Sequence, residues 1–385
     1  MNSRERYRAV THYGKFDRVF RQEMGPYPET VKRWRSEGMP ADQHLAVLAG
    51  YDRFETAPIH LGLLPTFEHE TLKEDANYRT YRDSRDGVIK KIRKDVVYPA
   101  MPQYLEYPLK TREDWKTFRE KLDPNSPARL PAHWNSLKNQ YGWARPPLAA
   151  HPTGDGAWAA RQNDRLARPD KNRDFPLGVS AGSMFGWLRD WMGVEHITVM
   201  LYDDPAWIHE MMEYLADHFV AVLKKVVFEV QFDFAVMWED MAYKTASLIS
   251  PKHVRELMMP NYRKITDLLH KAGVDVIMLD SDGNVEELIP LWLEVGINYI
   301  YPMEVAAGMD VVQLRRKFGR DLIIGGGMDK RVLAFGDRKA IDAMIDSKRD
   351  LILAGGYVPG CDHALPPDIS WANFLYYREH LAQIA

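Results

Sequence analysis

The fold is decided by residues 273–327, GVDVIMLDSDGNVEELIPLWLEVGINYIYPMEVAAGMDVVQLRRKFGRDLIIGGG. In this stretch Gly273, Gly296 and Gly319 lie 23 residues apart, and each follows a helix-like pattern. Two residues after each glycine an apolar strand pattern begins, with DVIMLD, NYIYPME and DLIIGGG in turn. A helix that ends on a left-handed glycine and leads into a buried strand is the repeat of a parallel βα sheet. The stretch therefore predicts an α/β fold.

Similar patterns extend this repeat through the chain. Together they predict eight parallel strands, beginning near residues 18, 56, 176, 232, 275, 298, 321 and 351. The last of these is LILAGGYV, residues 351–358, and residues 2–12 form a predicted N-terminal helix. Eight strands favour a closed (β/α)8 TIM barrel over an open doubly wound sheet, and such barrels carry their chemistry at the carboxyl ends of the strands.

One region does not follow the βα pattern. We predict a single barrel domain over residues 1–385, with an accessory insertion at about 75–175. The insertion begins with an antiparallel hairpin in residues 81–98, turning at Asp86-Gly87. Residues 123–176 are rich in proline and weak in apolar periodicity. Long loops of this kind are lids or partner-docking surfaces, with disorder as the alternative.

Composition narrows the class of protein. The 385 residues are 45% hydrophobic and carry a formal charge of -3, so neither nucleic acid nor an anionic membrane is a predicted partner. The single cysteine excludes an internal disulfide, which fits a reducing cytoplasm. The charged start MNSRERYRAV lacks the apolar core of a signal peptide. We expect a cytoplasmic enzyme that acts on a small molecule. The sequence does not determine its oligomeric state.

Polar residues collect at the predicted strand ends. They are Glu23, Ser180, Ser183, Glu239, Asp240, Asp280, Asp282, Glu304, Asp329, Cys361 and His363. Helix capping is the alternative explanation for single acids, and it applies to Asp310 before VVQLRRKF. Capping needs no thiol and no imidazole, so the set as a whole indicates an active site.

Two chemistries suit this set. Asp280 and Asp282 with Cys361 form a candidate metal site, in which Zn²⁺ would act as a Lewis acid. The alternative is metal-free acid–base catalysis by His363 with Glu239, Asp240 or Glu304. A free cysteine is also often a small buried hydrophobe, which is the competing interpretation of Cys361.

Aromatic residues supply a candidate binding wall for a planar ligand. Phe185, Trp187 and Trp191 lie in the segment that leaves the third predicted strand, and Trp158 lies in the long loop before that strand. Core packing is the expected place of at least two of them. Tyr243, beyond the fourth strand, is a further candidate substrate contact.

The chain resembles the uroporphyrinogen decarboxylase superfamily, which includes cobalamin-dependent methyltransferases that act with corrinoid proteins. The resemblance runs from end to end and implies a (β/α)8 barrel. Its motifs are SRERYRAV, YPLKTREDWKTF, FGWLRDWMGVEHI followed by YDDPAWI, LISPKHVRELMMPNYRKI, LDSDGNVEELIP, IGGGMDK and GGYVPGCDHALPPDIS.

Departures from the family patterns distinguish its branches. The decarboxylases carry MRQAGRY to hold substrate carboxylates, whereas this chain has FRQEMGPY, with Arg21 kept and Pro26 in place of the second arginine. The methyltransferases bind zinc through a His-x-Cys pair and a later cysteine. Here the pair is Asp280-Ser281-Asp282 and the later thiol is Cys361, and such oxygen ligands suit the polarisation of an ether oxygen better than the binding of a thiolate.

The resemblance implies the substrate-demethylating component of a corrinoid methyltransferase system. A methyl group of an aryl methyl ether would pass to cobalamin on a separate corrinoid protein. Zn²⁺ or an acid (Glu239, Asp240 or His363) would assist the leaving oxygen, and Arg21 with the aromatic candidates would hold the substrate. A metal-free decarboxylase and a non-catalytic corrinoid or small-molecule binder are the alternatives.

Overall fold

The computed structural model describes residues 1–94, 102–140 and 173–384. Its strands are β1 Glu55–Thr56, β2 Glu70–Glu74, β3 Tyr78–Arg82, β4 Ile89–Arg93, β5 Gln103–Glu106, β6 Leu177–Gly182, β7 Phe234–Trp238, β8 Ile277–Asp280, β9 Tyr299–Met303, β10 Ile323–Met328 and β11 Tyr357–Cys361. Seven of these strands form one parallel sheet in the order β1-β6-β7-β8-β9-β10-β11.

The helices pack on the outer face of this sheet and close the end at which its strands begin. They are α1 Ser3–Thr11, α2 Pro28–Ser36, α3 Leu45–Leu48, α4 Arg112–Lys121, α5 Trp134–Gln140, α6 Phe185–Met192, α7 Val194–Asp203, α8 Pro205–Leu223, α9 Pro251–His253, α10 Met259–Lys271, α11 Ile289–Glu294, α12 Val311–Phe318, α13 Lys330–Phe335, α14 Arg338–Asp346, α15 Arg349–Ala354 and α16 Trp371–Ala382. A π-helical turn, Val254–Met258, joins α9 to α10.

The helix-ending glycines behave as their spacing predicts. Gly273, Gly296 and Gly319 have φ of 81°, 84° and 58°, a region that favours glycine because a side chain there is strained. The strands β8, β9 and β10 each begin a few residues later. The predicted α/β fold of TIM-barrel type is confirmed, and seven strands form its curled parallel sheet among the described residues.

The first predicted strand is not a strand in the structure, although its residues fill the eighth position. The side chains of Phe20 and Met24 pack into the interior of the barrel, the lumen, whereas Glu23 accepts a hydrogen bond from Tyr377 on the outer helix α16. Asp52 N donates to Arg21 O at 2.9 Å, just before β1, and Tyr27 N donates to Leu365 O beyond β11. The segment therefore lies between the two edge strands with strand-like alternation but without a regular ladder.

The last predicted strand is also shifted. LILA, residues 351–354, belongs to α15, and β11 begins only at Tyr357. Leu351 and Ile352 are buried while Leu353 is 45% exposed, as on a helix that packs along one face. Gly355 and Gly356 both have positive φ and separate this helix from the strand.

The core has two layers. Strand residues of one parity pack outward against the helices, and those of the other parity fill the lumen. The lumen cluster comprises Tyr7, Val10, Phe20, Phe54, Phe234, Val276, Met278, Tyr299, Tyr301, Ile323 and Val358. Two of these come from α1, and Gly356 N, just before β11, donates to Val10 O at 2.7 Å. Helix α1 thus closes the amino end of the barrel, so access is from the carboxyl end.

The accessory region contains a second sheet. It is antiparallel, in the order β2-β3-β4-β5, and β3 pairs β4 with Arg82 opposite Ile89. The predicted hairpin is confirmed over its described part. Most of the predicted 123–176 loop lies outside the described residues. None of the described helices is long and apolar enough to cross a membrane.

A buried histidine on α8 makes the fold sensitive to acid. His218 Nε2 lies 2.8 Å from Leu61 O, and burial lowers the pKa of His218 from 6.5 to about 4. Its stabilising contribution is complete above pH 6.5 and is lost as pH falls toward 4, because only the unfolded chain takes the proton readily. We expect wild type to lose roughly 2 kcal/mol more unfolding free energy than His218→Gln between pH 7 and 4.5. Urea unfolding at the two pH values measures this, and equal losses would contradict it.

Candidate active site at the mouth of the barrel

Chemically active side chains meet at the carboxyl ends of five adjacent strands. The neighbours β7, β8, β9, β10 and β11 run parallel, so the residues that follow them share one rim. These residues are Asp240, Asp282, Glu304, Lys330 and His363. We call this end of the barrel the mouth.

A histidine–carboxylate pair spans the mouth. His363 Nε2 lies 3.2 Å from Asp282 Oδ2, and His363 Nδ1 lies 3.3 Å from Tyr27 Oη. Burial lowers the pKa of His363, but the hydrogen bond and charge of Asp282 outweigh it, so the net shift is upward. The imidazole is one-quarter exposed. It is held in one orientation, is biased toward its protonated form, and can reach a bound molecule.

Two further carboxylates, Asp240 and Asp280, lie beside this pair. Asp282 N donates to Asp240 Oδ1 at 3.1 Å, and Arg189 pairs with Asp240. Asp280 is 9% exposed and has no side-chain hydrogen bond among the described residues. Burial, and then the charges of Asp282 and Asp240, hold the pKa of Asp280 well above its ordinary value. The mouth therefore contains a buried carboxyl group that has no hydrogen-bond partner among the residues that the structure describes.

Asp240 also has an unusual backbone. Its φ of 50° is in the left-handed region, where a residue with a Cβ is strained, and such strain is concentrated at functional sites. Arg189 donates to both the carbonyl and the carboxylate of Asp240. Burial, followed by the charge of Asp282, raises the pKa of Asp240, and Arg189 offsets part of that rise. The structure places Asp240 at the mouth, as predicted.

Glu239, predicted as catalytic, has a structural place instead. It is fully buried and accepts hydrogen bonds from Met184 N at 3.0 Å, Gly186 N at 3.0 Å and Tyr262 Oη at 2.9 Å. Burial raises its pKa, and these donors oppose the rise. Since neighbouring residues of a strand face opposite sides, Glu239 holds α6 on the outside while Asp240 faces the mouth.

Glu304 lies at the mouth together with residues that the sequence analysis did not select. Glu304 accepts from Lys330 Nζ at 2.7 Å and from Gly283 N at 3.0 Å. Asp362, fully buried, accepts from Lys330 N at 2.9 Å and Val305 N at 3.0 Å. These bonds tie the ends of β8, β9, β10 and β11 together. Lys330 follows the GGGMD strand end directly, and that position was the available signal for it.

The predicted metal ligands do not converge. Asp280 lies on the lumen parity of β8, whereas Cys361 belongs to the outer layer between β11 and the helices. Burial, then the charges of Asp362 and Glu23, raise the pKa of Cys361 well above its ordinary value, so the thiol is neutral. The described residues contain no group of three or more His, Cys, Asp or Glu side chains that could hold a metal ion. The set Asp280, Asp282 and Cys361 therefore does not fit zinc.

The aromatic candidates divide between core and rim. Phe185 is fully buried in the outer core, which corrects its predicted substrate contact. Trp187 is half-buried and packs edge-on against Phe219, with ring centroids 5.0 Å apart. Tyr243 is 60% exposed beyond β7. Trp158 lies outside the described residues.

Arg21 does not face the mouth. Its guanidinium donates to Ala382 O at 3.1 Å, at the end of α16, because residue 21 has outward parity between lumen-facing Phe20 and Gln22. Burial, and then the neighbouring arginine charges, lower its pKa to about 10. The predicted role of Arg21 in holding substrate is corrected accordingly.

A cavity opens beside the catalytic histidine candidate. It encloses ≈ 270 Å³ and is lined by Tyr27, Lys330, Arg331, Ala334, Phe335, His363, Ala364, Pro366 and Asp368. This is close to the lower limit for a small-molecule site. Its lining combines aromatic and basic side chains at the rim of the mouth.

Comparison with known proteins agrees with this architecture. A solved methyltransferase from Methanosarcina mazei superposes with a TM-score of 0.56 and 12% identity, over 99% of this chain and 98% of that one. At that identity the likeness shows the shared fold alone. No curated protein matches the sequence.

A family model gives the assignment. The model described as uroporphyrinogen decarboxylase (URO-D) matches residues 163–382, more than half of the 385 residues. The match includes every strand from β6 to β11 and the mouth residues that follow β7 to β11. This chain belongs to the uroporphyrinogen decarboxylase family.

Proposed function

We propose that this protein is a methyltransferase that passes the methyl group of a small aryl methyl ether to Co(I) of cobalamin on a separate corrinoid protein. The observation that carries the proposal is the His363–Asp282 pair, 3.2 Å between Nε2 and Oδ2, at the open mouth of the barrel. The methyltransferase with the same fold supports the reaction class.

The paired histidine suits the hardest part of this reaction. When the methyl carbon is taken by the nucleophilic acceptor, the ether C–O bond breaks and its electron pair stays on the oxygen. A phenolate is a poor leaving group, so a proton from the His363 imidazolium assists its departure as a phenol. Asp282 accepts the hydrogen bond of Nε2 and stabilises the charge of the imidazolium, so the proton given up is the one on Nδ1, where the leaving oxygen takes the place of Tyr27 Oη.

The rim suits a large acceptor. Phe335, the last residue of α13, and Tyr243, in the loop after β7, are 78% and 60% exposed, and Phe335 lines the cavity beside His363. Exposed aromatic side chains at a cavity edge are common anchors of protein partners. A corrinoid-carrying domain that docks there brings its acceptor over His363.

Decarboxylation of a tetrapyrrole is the alternative, and the family model favours it. The cations near the mouth argue against it, since each already has a carboxylate: Lys330 pairs with Glu304, Arg331 with Asp329 and Arg189 with Asp240. Arg21 lies on the outer side. A substrate with many carboxylates would therefore find no unpaired cation among these described residues.

The test uses purified protein with cob(I)alamin or a reduced corrinoid protein and a panel of methoxyarenes. We expect formation of methylcobalamin, seen in the visible spectrum, and an equal amount of phenol by chromatography. Ether cleavage without any corrinoid would overturn the proposal. Release of carbon dioxide from uroporphyrinogen, without methyl transfer from the panel, would establish the decarboxylase instead.

A further inference from the structure

A small cavity lies inside the barrel, below the mouth. It encloses ≈ 30 Å³, and its wall includes Gln22, Met278, Tyr299, Tyr301 and Gly325. Those wall residues come from three neighbouring strands and from the segment that fills the eighth position. A cavity of this size accepts one or two atoms of a ligand, or a water molecule, but no aromatic ring.

Gln22 lines this cavity. The residue is 7% exposed, and its buried amide nitrogen Nε2 has no hydrogen-bond partner among the described residues. A buried amide without a hydrogen bond is costly, and in native proteins such a group calls for an explanation. An apolar side chain here would avoid that cost.

A second polar group faces the same space. Tyr299 is 3% exposed, and no hydrogen bond of its hydroxyl is found among the described residues. Its ring lies across Gly325, where an added Cβ would come within 2.9 Å of the tyrosine oxygen. Glycine at 325 therefore makes room for the Tyr299 hydroxyl in the lumen. An amide and a hydroxyl thus face one small cavity together.

The charge of the surroundings limits what can bind. Glu23 is the charged residue of the cavity wall, and its carboxylate already bonds Arg378 and Cys361 N. Asp280, two residues beyond Met278 on β8, lies next to Tyr301, which also lines the wall. No cationic side chain of the described residues lines this cavity, and the Glu23 carboxylate already has its cation, so an anionic group would gain no ion pair there. The favoured occupant is a neutral oxygen.

We propose that Gln22 and Tyr299 form a subsite for a neutral hydroxyl or carbonyl oxygen at the end of the ligand opposite its methoxy group. This inference rests on the proposed function and specifies the substrate class: an aryl methyl ether with an uncharged oxygen substituent. The ring stays above the cavity, near Tyr301 and Asp280, and the substituent points down the barrel to the Gln22 amide.

Calorimetric titration of the full chain tests the subsite with four probes: 4-methoxyphenol, 4-methoxybenzaldehyde, 4-methoxybenzoate and anisole. We expect the phenol and the aldehyde to bind at least about tenfold more tightly than anisole and the benzoate, since a buried polar site discriminates against ligands that leave it unpaired. Gln22→Leu should reduce this preference to below about threefold, and Tyr299→Phe should reduce it in part. Gln43→Leu, at an exposed glutamine, is the matched control.

Three results would overturn the inference: anisole binding as tightly as the phenol, a preference that survives Gln22→Leu, or no binding of any probe. Survival of the preference would mean that a group other than Gln22 recognises the oxygen substituent. Thermal unfolding shows whether Gln22→Leu still folds, and we expect no loss of stability because the substitution removes an unpaired buried amide. Binding without methyl transfer would refute the proposed function and leave the subsite standing.

Discussion

Replacement of His363 by glutamine should slow methyl transfer from an aryl methyl ether by about a hundredfold or more, because general acid catalysis contributes on the order of 10²–10⁴. Glutamine can still reach toward Asp282, but it cannot give up a proton. The side chain is one-quarter exposed, so the fold should not change. Single-turnover transfer to cob(I)alamin, followed in the visible spectrum, measures the loss.

The choice of leaving group separates an acid from a merely structural histidine. A methoxyarene with an electron-withdrawing nitro group releases a stable phenolate that needs little protonation. His363→Gln should therefore slow methyl transfer from this substrate far less than transfer from anisole derivatives without the nitro group. His133→Gln, at an exposed histidine, should change neither rate. Equal losses for good and poor leaving groups would contradict proton donation by His363.

Asp282 should act through His363. Although burial lowers the pKa of His363, the hydrogen bond and charge of Asp282 raise it on balance, so Asp282→Asn should lower that pKa. Because the protonated imidazole is the active form, the alkaline limb of the pH–rate profile should move to lower pH. An unmoved limb would show that the acid is another group.

The glycine spacing predicts much of the fold, since Gly273, Gly296 and Gly319 fix where helices end and where strands begin. The two misplaced strands had weaker signals. LILA before Gly355 is a short apolar run, and periodicity over four residues cannot separate helix from strand. Residues 20–24 alternate like a strand, but hydrogen bonding to both edges depends on distant segments that the local sequence does not specify.

The predicted carboxyl ends of the strands locate the mouth, but the side of the sheet to which each side chain points decides its role. A shift of one residue along a strand exchanges lumen and helix sides. Hence Asp240 faces the mouth, while its neighbour Glu239 points outward and holds α6. Cys361 also packs outward. His363, two residues later, has left the strand and reaches Asp282. Lys330 follows a predicted strand end, so its position could have been found, whereas Tyr27 joins the site through a tertiary contact that no local pattern reveals.

A buried ion pair between Glu23 and Arg378 should stabilise the segment that fills the eighth position of the barrel. Glu23 Oε1 accepts from Arg378 Nη1 at 2.8 Å and from Tyr377 Oη at 3.0 Å, and Oε2 accepts from Cys361 N. Both charged side chains are almost fully buried. Glu23→Leu leaves Arg378 unpaired inside the protein, and we expect a loss of about 3–5 kcal/mol of unfolding free energy.

A double-mutant cycle separates the ion pair from packing. Arg378→Met alone should also destabilise the fold, but Glu23→Leu combined with Arg378→Met should cost clearly less than the sum, because no unpaired charge remains. Glu379→Leu, at the exposed neighbour of Arg378, should change the unfolding free energy by less than about 0.5 kcal/mol. Additive losses in denaturant unfolding would mean that the two side chains stabilise the barrel independently. Gln22 and Met24 flank Glu23 in the chain. Loss of the Glu23–Arg378 ion pair should therefore also weaken the binding of 4-methoxyphenol in the lumen.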